Sequence, residues 1–294
     1  MGTHLAIEPD RIFKTSVEKQ GVHTALPILS KKAEKIMGKS IAEIKREFEN
    51  TEEIMLPEKM AEYAGDTRNG VQAIIKKYEK YLEKMAAERQ RLAQMRIFEE
   101  EYESLGLVCG VDEAGRGPLA GPVVAGAVIL PKDCEILWLN DSKQLSEKKR
   151  EELYDIIMEK AVAAAVGFAS PERIDEINIL QATYEAMREA IGKLSVRPQV
   201  LLNDAVTIPG MEMKQVPIIK GDAKSLSIAA ASVLAKVTRD RLMKEYDKEM
   251  PQYGFAGHKG YGSAAHIEAI KKYGPSPIHR KSFIKNFVVP GAKA

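Results

Sequence analysis

Asp112 and Glu113 are adjacent carboxylates at the end of an apolar run, and Gly115-Arg116-Gly117 follows after a single alanine. Carboxylate oxygens are the hard ligands that Mg²⁺ and Mn²⁺ prefer. Glycines allow a backbone to approach a ligand closely, and the arginine between them can meet a phosphate. An acidic pair beside a phosphate clamp points to metal-assisted phosphodiester chemistry. Taken alone, an Asp-Glu pair is more simply a solvated turn at a strand end, but the pattern repeats. Asp204 follows Val-Leu-Leu-Asn, and Asp222 follows Val-Pro-Ile-Ile-Lys-Gly. Three apolar strands thus end in aspartate, and ligands gather at strand ends in open α/β sheets. Carboxylates packed this way repel one another unless a cation neutralises them.

The elements that must position these residues are an alternation of strands and helices. Leu107–Val111 and Val123–Leu130 are apolar and β-branched, and the Gly/Pro-rich turn between them predicts an antiparallel hairpin. An amphipathic helix is expected over 147–160 with Ser146 as its N-cap. A small-residue strand follows at 161–169, then a helix within 175–194. Short buried strands at 199–202 and 216–219 deliver Asp204 and Asp222. A long helix at 227–249 and a short one at 264–273 complete the pattern. Hairpin-paired strands followed by strands alternating with helices predict an α/β fold, a mixed sheet flanked by helices.

Three regions separate along the chain. Residues 1–39 show no clear period and are expected to be an irregular or partly disordered lead. Residues 40–105 are helical in pattern: Ser40-Ile-Ala-Glu43 is a capping box, and a second helix is expected over 70–95. Residues 106–294 form the α/β region. The stretch 76–96 carries 7 Lys/Arg and 3 Glu, and residues 220–294 carry 14 Lys/Arg and 6 Asp/Glu. A basic C-terminal quarter suits a protein that grips a polyanion, although charge runs are more often solvated faces. Over the whole chain 44 basic residues nearly balance 42 acidic ones, so net charge alone identifies no partner. The two cysteines, Cys109 and Cys134, fit neither a zinc spacing nor a disulfide framework, which suits a reducing cytoplasm. No apolar run is long enough for a membrane span.

The run Gly110-Val-Asp-Glu-Ala-Gly-Arg-Gly-Pro-Leu-Ala-Gly-Pro-Val resembles the signature of the ribonuclease HII family. Asp141-Ser-Lys-Gln-Leu145, Lys220-Gly-Asp-Ala-Lys-Ser225, Ala229-Ala-Ala-Ser-Val-Leu-Ala-Lys236 and His258-Lys-Gly-Tyr-Gly262 match later motifs of that family in order. The resemblance covers about residues 107–289. It implies an RNase H-like fold and an endonuclease dependent on Mn²⁺ or Mg²⁺. Such an enzyme hydrolyses RNA in RNA–DNA hybrids and cuts 5′ to ribonucleotides embedded in duplex DNA, leaving 3′-hydroxyl and 5′-phosphate ends. It also implies a monomer working on these duplexes in the cytoplasm.

Carried over by position, the family's acidic quartet falls on Asp112, Glu113, Asp204 and Asp222. Gly115, Arg116 and Gly117 match the loop that reads the ribose 2′-OH, the group that distinguishes RNA from DNA. Tyr261 matches the tyrosine that stacks at the ribose–deoxyribose junction. Asp112 is expected to bridge two ions about 3.5–4 Å apart; Asp222 would hold the ion that activates water, and Glu113 and Asp204 the ion at the leaving oxygen. Lys143, Lys224 and Lys236 are candidate phosphate contacts, with ordinary surface lysines as the alternative. His258 is expected to bond backbone in a turn, with metal ligation the less favoured reading. Ser225 and Ser232 are expected to cap or pack a helix. Asn203 stands where an apolar residue is expected and needs hydrogen-bond partners if buried. Two other functional classes compete: a metal-stabilised nucleic-acid-binding module without turnover, and a nuclease of similar fold that ignores the 2′-OH.

Overall fold

The strand that carries Asp112 and Glu113, β1 (Val108–Ala114), lies at the centre of a five-stranded sheet in the computed structural model, which describes residues 38–288. β2 (Val123–Ile129) pairs antiparallel with β1, as the hairpin reading expects, and β3 (Ala163–Ala169) pairs antiparallel with β2. On the other side of β1 lie β4 (Val200–Asp204) and then β5 (Lys214–Ile218), both in parallel pairing. The order is β3-β2-β1-β4-β5. The parallel pairs need crossovers: β1 reaches β4 by way of β2, β3 and helices, whereas β4 and β5 are joined by residues 205–213, which hold no helix. The sheet is therefore mixed and flanked by helices, as expected.

The described part of the first compact unit, residues 38–85, is helical. Helix α1 (Ile41–Glu49) opens with the expected capping box, in which Ser40 accepts from the Glu43 N–H and Glu43 accepts from the Ser40 N–H at 2.7 Å. Helix α2 (Leu56–Tyr63), with proline in its first turn, and the start of α3 (Asn69–Met95) follow. Ile44, Phe48, Leu56, Tyr63 and Val71 form this unit's own core. The Tyr63 hydroxyl, at its edge, donates to Glu47 at 2.6 Å. The expected irregular lead, but for Gly38 and Lys39, lies outside the described residues.

The second unit begins at Ala86, earlier than the expected boundary at 106. The cause is the last part of α3. Leu92 and Met95 are buried with Val128, Ile136, Leu139, Leu153 and Ile157, and the buried Glu88 accepts from Arg91 at 2.7 Å and from the Trp138 N–H at 2.6 Å. A periodic helix gives no sign of where its apolar face changes partners. A short helix α4 (Ile97–Tyr102) leads into β1.

Helices cover both faces of the sheet. Helix α5 (Glu147–Lys160) starts at Ser146, whose hydroxyl accepts from the Lys149 N–H. Helix α6 (Pro171–Gly192) begins before the expected 175, at a Ser170-Pro171 start, and kinks at Asn178, whose backbone is left-handed. Asn178 Oδ1 accepts from the Leu180 and Gln181 N–H groups, so it caps the second half of the helix. Helix α7 (Leu226–Glu249) packs against β1 and β2. Its approach is very close: a Cβ on Gly110 would fall 2.1 Å from the Ser227 carbonyl carbon, and one on Gly126 would fall 2.4 Å from the Ala231 oxygen. The Ser227–Ile228 backbone thus meets Gly110, and Ala231 meets Gly126. Two short helices follow, α8 (Phe255–His258), which packs on α7, and α9 (Ala264–Tyr273); a last turn, α10 (Lys281–Ile284), is held by Asp175 at the start of α6.

Because Leu92 belongs to the core of the second unit, Leu92→Ala is expected to cost about 2–5 kcal/mol of that unit's stability. Ile97→Ala, at a side chain 55% exposed, should stay within about 0.5 kcal/mol. Urea denaturation of the two variants checks this; equal, small effects would detach the end of α3 from the sheet's core.

Candidate active site

The parallel register of β1 and β4 sets Val111 against Asn203, so the next residue on each strand, Asp112 and Asp204, emerges at the same end of the sheet. The chain after β5 turns back through Lys220, in left-handed backbone, into a single 3-10 turn, Gly221–Ala223, that carries Asp222. The Gly221 N–H donates to Asp204 Oδ1 at 2.7 Å, which fastens that turn to the end of β4. Ala205, directly after Asp204, is also left-handed. Non-glycine residues pay a steric penalty there, and such strain clusters at functional sites.

The four carboxylates share one neighbourhood. Asp112 and Asp222 are buried, and Glu113 and Asp204 are half-buried. Burial, followed by the charges of Glu113 and Asp204, holds the Asp112 carboxyl well above the usual carboxylate range, although a hydrogen bond from Ser232 opposes this. Burial raises Glu113 as well, opposed by Arg116, while Asp222 is raised by burial and then by Asp141 and Asp204. The site is thus a cluster of anions short of positive charge. Two side chains supply part of it: Lys143 Nζ lies 3.3 Å from Asp222 Oδ2, and Arg116 Nη1 lies 3.3 Å from Glu113 Oε1.

Among the described residues, no three His, Cys, Asp or Glu side chains are already drawn together as a metal cage. The donor set nevertheless fits a divalent ion in its chemistry: hard oxygens, partial burial and raised carboxyl pKa values that a nearby cation would lower. Asp112, Glu113, Asp204 and Asp222 would hold it.

The Gly-Arg-Gly loop leaves β1 on the same side. Gly115 has φ +92° and no room for a side chain, since a Cβ would fall 2.1 Å from Arg239 Nε. Gly117 differs: its nearest neighbour, Tyr261 Cε1, would lie 4.0 Å from a Cβ. Arg116 and Gly117 are exposed, and Tyr261, 46% exposed, stands beside them. Lys236 Nζ and Arg239 Cζ each lie 5.9 Å from the Tyr261 ring centroid, within cation–π range.

The three expected lysines separate. Lys143 faces Asp222, and Lys224 is exposed beyond the Asp222 turn. Lys236 is committed to Asp240 at 2.7 Å, and burial lowers its pKa. His258 bonds backbone, as expected: Nδ1 accepts from the Gly260 N–H at 3.1 Å, and Nε2 faces the Tyr253 carbonyl at 2.8 Å. Ser225 caps α7 at the Ile228 N–H. Ser232 does more than pack, since it bonds Asp112 and lies 2.9 Å from Ser142 Oγ. Asn203 finds its partner in Gln215 Oε1 at 2.9 Å, and Gln215 also bonds the Ile208 backbone at both N and O.

Three contributors were not picked out from the sequence. Asp141 adds a further negative charge beside Asp222. Arg239 and Arg280, both fully buried, hold the loop by its carbonyls. Arg239 donates to Ala120, Pro122 and Lys259, and Arg280 to Gly115, Arg116 and Gly121. An arginine near the middle of α7, just after its small-residue apolar run, was the available signal; Arg280 offered none.

Acidic residues gathered at the C-terminal ends of parallel strands, beside a loop with open backbone, define a metal-dependent phosphodiesterase on an RNase H-like sheet. The sequence profile of the ribonuclease HII family matches residues 109–286, and that of the ribonuclease HII N-terminal domain matches residues 40–103. The chain is 63% identical over 250 residues to a ribonuclease HII of Lachnoclostridium phytofermentans, covering 85% of this chain and 98% of the relative. It is 52% identical over 256 residues to one from Clostridioides difficile, covering 85% and 99%. The ribonuclease H2 crystal structure from Pyrococcus horikoshii superimposes with a TM-score of 0.53 at 32% identity, covering 62% of this chain and 96% of that one. The chain belongs to the ribonuclease HII family. It is a metal-dependent endoribonuclease acting on RNA in RNA–DNA hybrids.

The charged form of Asp112 is costly to the fold. Its folded pKa lies above the unfolded value, so the penalty is present at neutral pH and fades as pH falls through the raised pKa. In chelator at pH 7, Asp112→Asn is expected to melt higher than the parent, with the advantage shrinking toward pH 4. Melting curves across that range check the sign; a lower melting temperature at every pH would contradict it.

Proposed function

We propose that this enzyme cuts on the 5′ side of ribonucleotides, both in hybrids and singly embedded in duplex DNA, through two divalent ions held by Asp112, Glu113, Asp204 and Asp222. The observation that carries this reading is the convergence of those carboxylates beside an exposed Gly117 whose open side faces Tyr261. Two bound ions, Mn²⁺ or Mg²⁺, would supply water activation and charge stabilisation at the leaving oxygen. The charges of both Glu113 and Asp204 act on Asp112, so it is placed to share in holding any ion they would bind.

The chain's own residues do the rest. The backbone at Gly115, Arg116 and Gly117 approaches the ribose, and only a 2′-OH can answer its hydrogen bonds. The Tyr261 ring stacks on the next, deoxy sugar's nucleoside face. Lys143 and Lys224 lie close enough to the acidic cluster to meet flanking phosphates. Lys236, tied to Asp240, acts mainly through its place over the Tyr261 ring. With the phosphate so oriented, water oxygen bonds to phosphorus and the bond to the 3′ oxygen breaks. The 3′ oxygen takes up a proton, leaving a 3′-hydroxyl and a 5′-phosphate. The unpaired, buried Cys109 and Cys134 fit a reducing compartment such as the cytoplasm.

The test is a pair of matched duplexes, all-DNA and with one ribonucleotide, with and without chelator. Cleavage is expected only with the ribonucleotide and the metal, at its 5′ side. Asp222→Asn should abolish turnover while leaving the fold intact. Normal turnover by folded Asp222→Asn would remove that residue from the chemistry, and equal cutting of both duplexes would remove the 2′-OH reading.

Gly117→Ala is informative because the protein itself has room for the methyl. Any loss must come from the ligand's approach, and about 1 Å of misplacement can cost roughly a hundredfold. Tyr261→Phe should keep much of the activity and Tyr261→Ala should lose most of it, since stacking contributes roughly 1–3 kcal/mol. Steady-state rates on the single-ribonucleotide duplex check both; equal losses for Phe and Ala would assign the role to the hydroxyl.

A further inference from the structure

Tyr261 is held from behind by two buried histidines that the hydrolytic reading does not use. His266 is fully buried and His279 nearly so. The Ser276 N–H donates to His279 Nδ1 at 2.8 Å, and the Ser276 hydroxyl lies 2.6 Å from the same nitrogen. A ring nitrogen that accepts carries no proton, so His279 bears its proton on Nε2. That proton points at His266 Nε2, 3.0 Å away, which must accept it. His266 therefore keeps its own proton on Nδ1, 2.9 Å from the Tyr261 carbonyl oxygen. One ordering of protons satisfies the whole chain, and it runs from Ser276 to Tyr261.

The surroundings fix the rings. His258 stacks on His266 with centroids 4.3 Å apart and planes 16° from parallel, and Phe255 touches all three imidazoles. His279 forms an isolated β-bridge with Ala120, and the next residue, Arg280, donates to Gly115 and Arg116. The same segment thus ties Tyr261 and the Gly-Arg-Gly loop together. The ionisable groups around the rings are His258, Tyr253, Tyr261, Lys259, Arg239 and Arg280. Among the described residues, no carboxylate bonds either imidazole. A second proton on either ring would meet another N–H, and burial pushes His279 down to about 4.

We propose that His266 and His279 are positioning residues for Tyr261, forming a one-directional hydrogen-bond chain that sets its backbone where the ribose–deoxyribose junction docks. This rests on the stacking role of Tyr261 proposed above. The experiment compares His266→Phe with His266→Asn, each in the parent and in Tyr261→Ala, on the single-ribonucleotide duplex. Asparagine keeps a donor near the place of Nδ1 and phenylalanine does not, while both remove the acceptor for His279. The comparison therefore isolates the bond to Tyr261.

His266→Phe is expected to lower kcat/KM about tenfold, as the loss of one buried hydrogen bond would, and His266→Asn to stay within about threefold. In Tyr261→Ala the phenylalanine should have little further effect. Equal loss with and without the Tyr261 ring, or equal loss for folded Asn and Phe variants, would overturn the proposal. Tyr261→Ala cleaving like the parent would overturn the stacking reading and the positioning role with it. Imidazole ¹⁵N resonances of the parent protein keep the test open if His266→Phe fails to fold. Protons on His266 Nδ1 and His279 Nε2 are expected, and the reverse tautomers would overturn the chain.

Discussion

Repulsion among buried carboxylates is the constraint to which the rest of the second unit answers. Asp112, Glu113, Asp204 and Asp222 sit at the ends of elements whose register leaves them no way apart. Asp112 and Asp204 extend adjacent parallel strands, and the Asp222 turn is fastened to Asp204 through the Gly221 N–H. Left-handed backbone at Ala205 and Lys220 shows that the chain accepts strain, of order 1–3 kcal/mol at each such position, to hold the arrangement. Arg116 and Lys143 relieve it only in part. The unmet need for positive charge is the property on which the proposed metal site rests.

A second constraint shapes the substrate side. A loop proposed to present open backbone to a ribose cannot be held by side chains on its own exposed face. The fold holds it from inside, with two buried guanidinium groups that bond carbonyls of residues 115–122 and 259. Buried charges are tolerated when their donors are satisfied, and carbonyls are the only acceptors used. This explains why Gly115 and Gly117, two residues apart, differ in kind. Gly115 is required by Arg239, whereas Gly117 is open to the ligand.

Much of this was legible in residue order. Apolar runs ending in Asp112 and Asp204 were visible because strand ends and carboxylates are both local signals; the buried strand expected over 216–219 was not found as such, since β5 is buried only at Ile218, ends there, and leaves Asp222 to a separate 3-10 turn. The hairpin, the capping boxes and caps at Ser40 and Ser146, and the backbone role of His258 were legible for the same reason. Contacts between distant segments were not. Nothing near Arg280 in sequence marks it as a support for residue 115, and nothing near Asp141 in sequence sets it beside Asp222. The end of α3 was assigned with the first helices because its period is continuous, although Leu92 and Met95 pack on the sheet's side. Asn203, out of place in an apolar strand, made sense only with Gln215 opposite on β5.

The central claim is that the acidic cluster is a site completed by divalent cations. A melting titration with Mn²⁺ or Mg²⁺, run on the parent and on Asp112→Asn, tests it without relying on turnover. A ligand that binds only the folded state raises stability with its concentration. The parent should therefore melt at progressively higher temperature as the ion is added, and Asp112→Asn should respond far less. A parent whose melting temperature ignores the ion, or a variant that rises in step with it, would contradict the account.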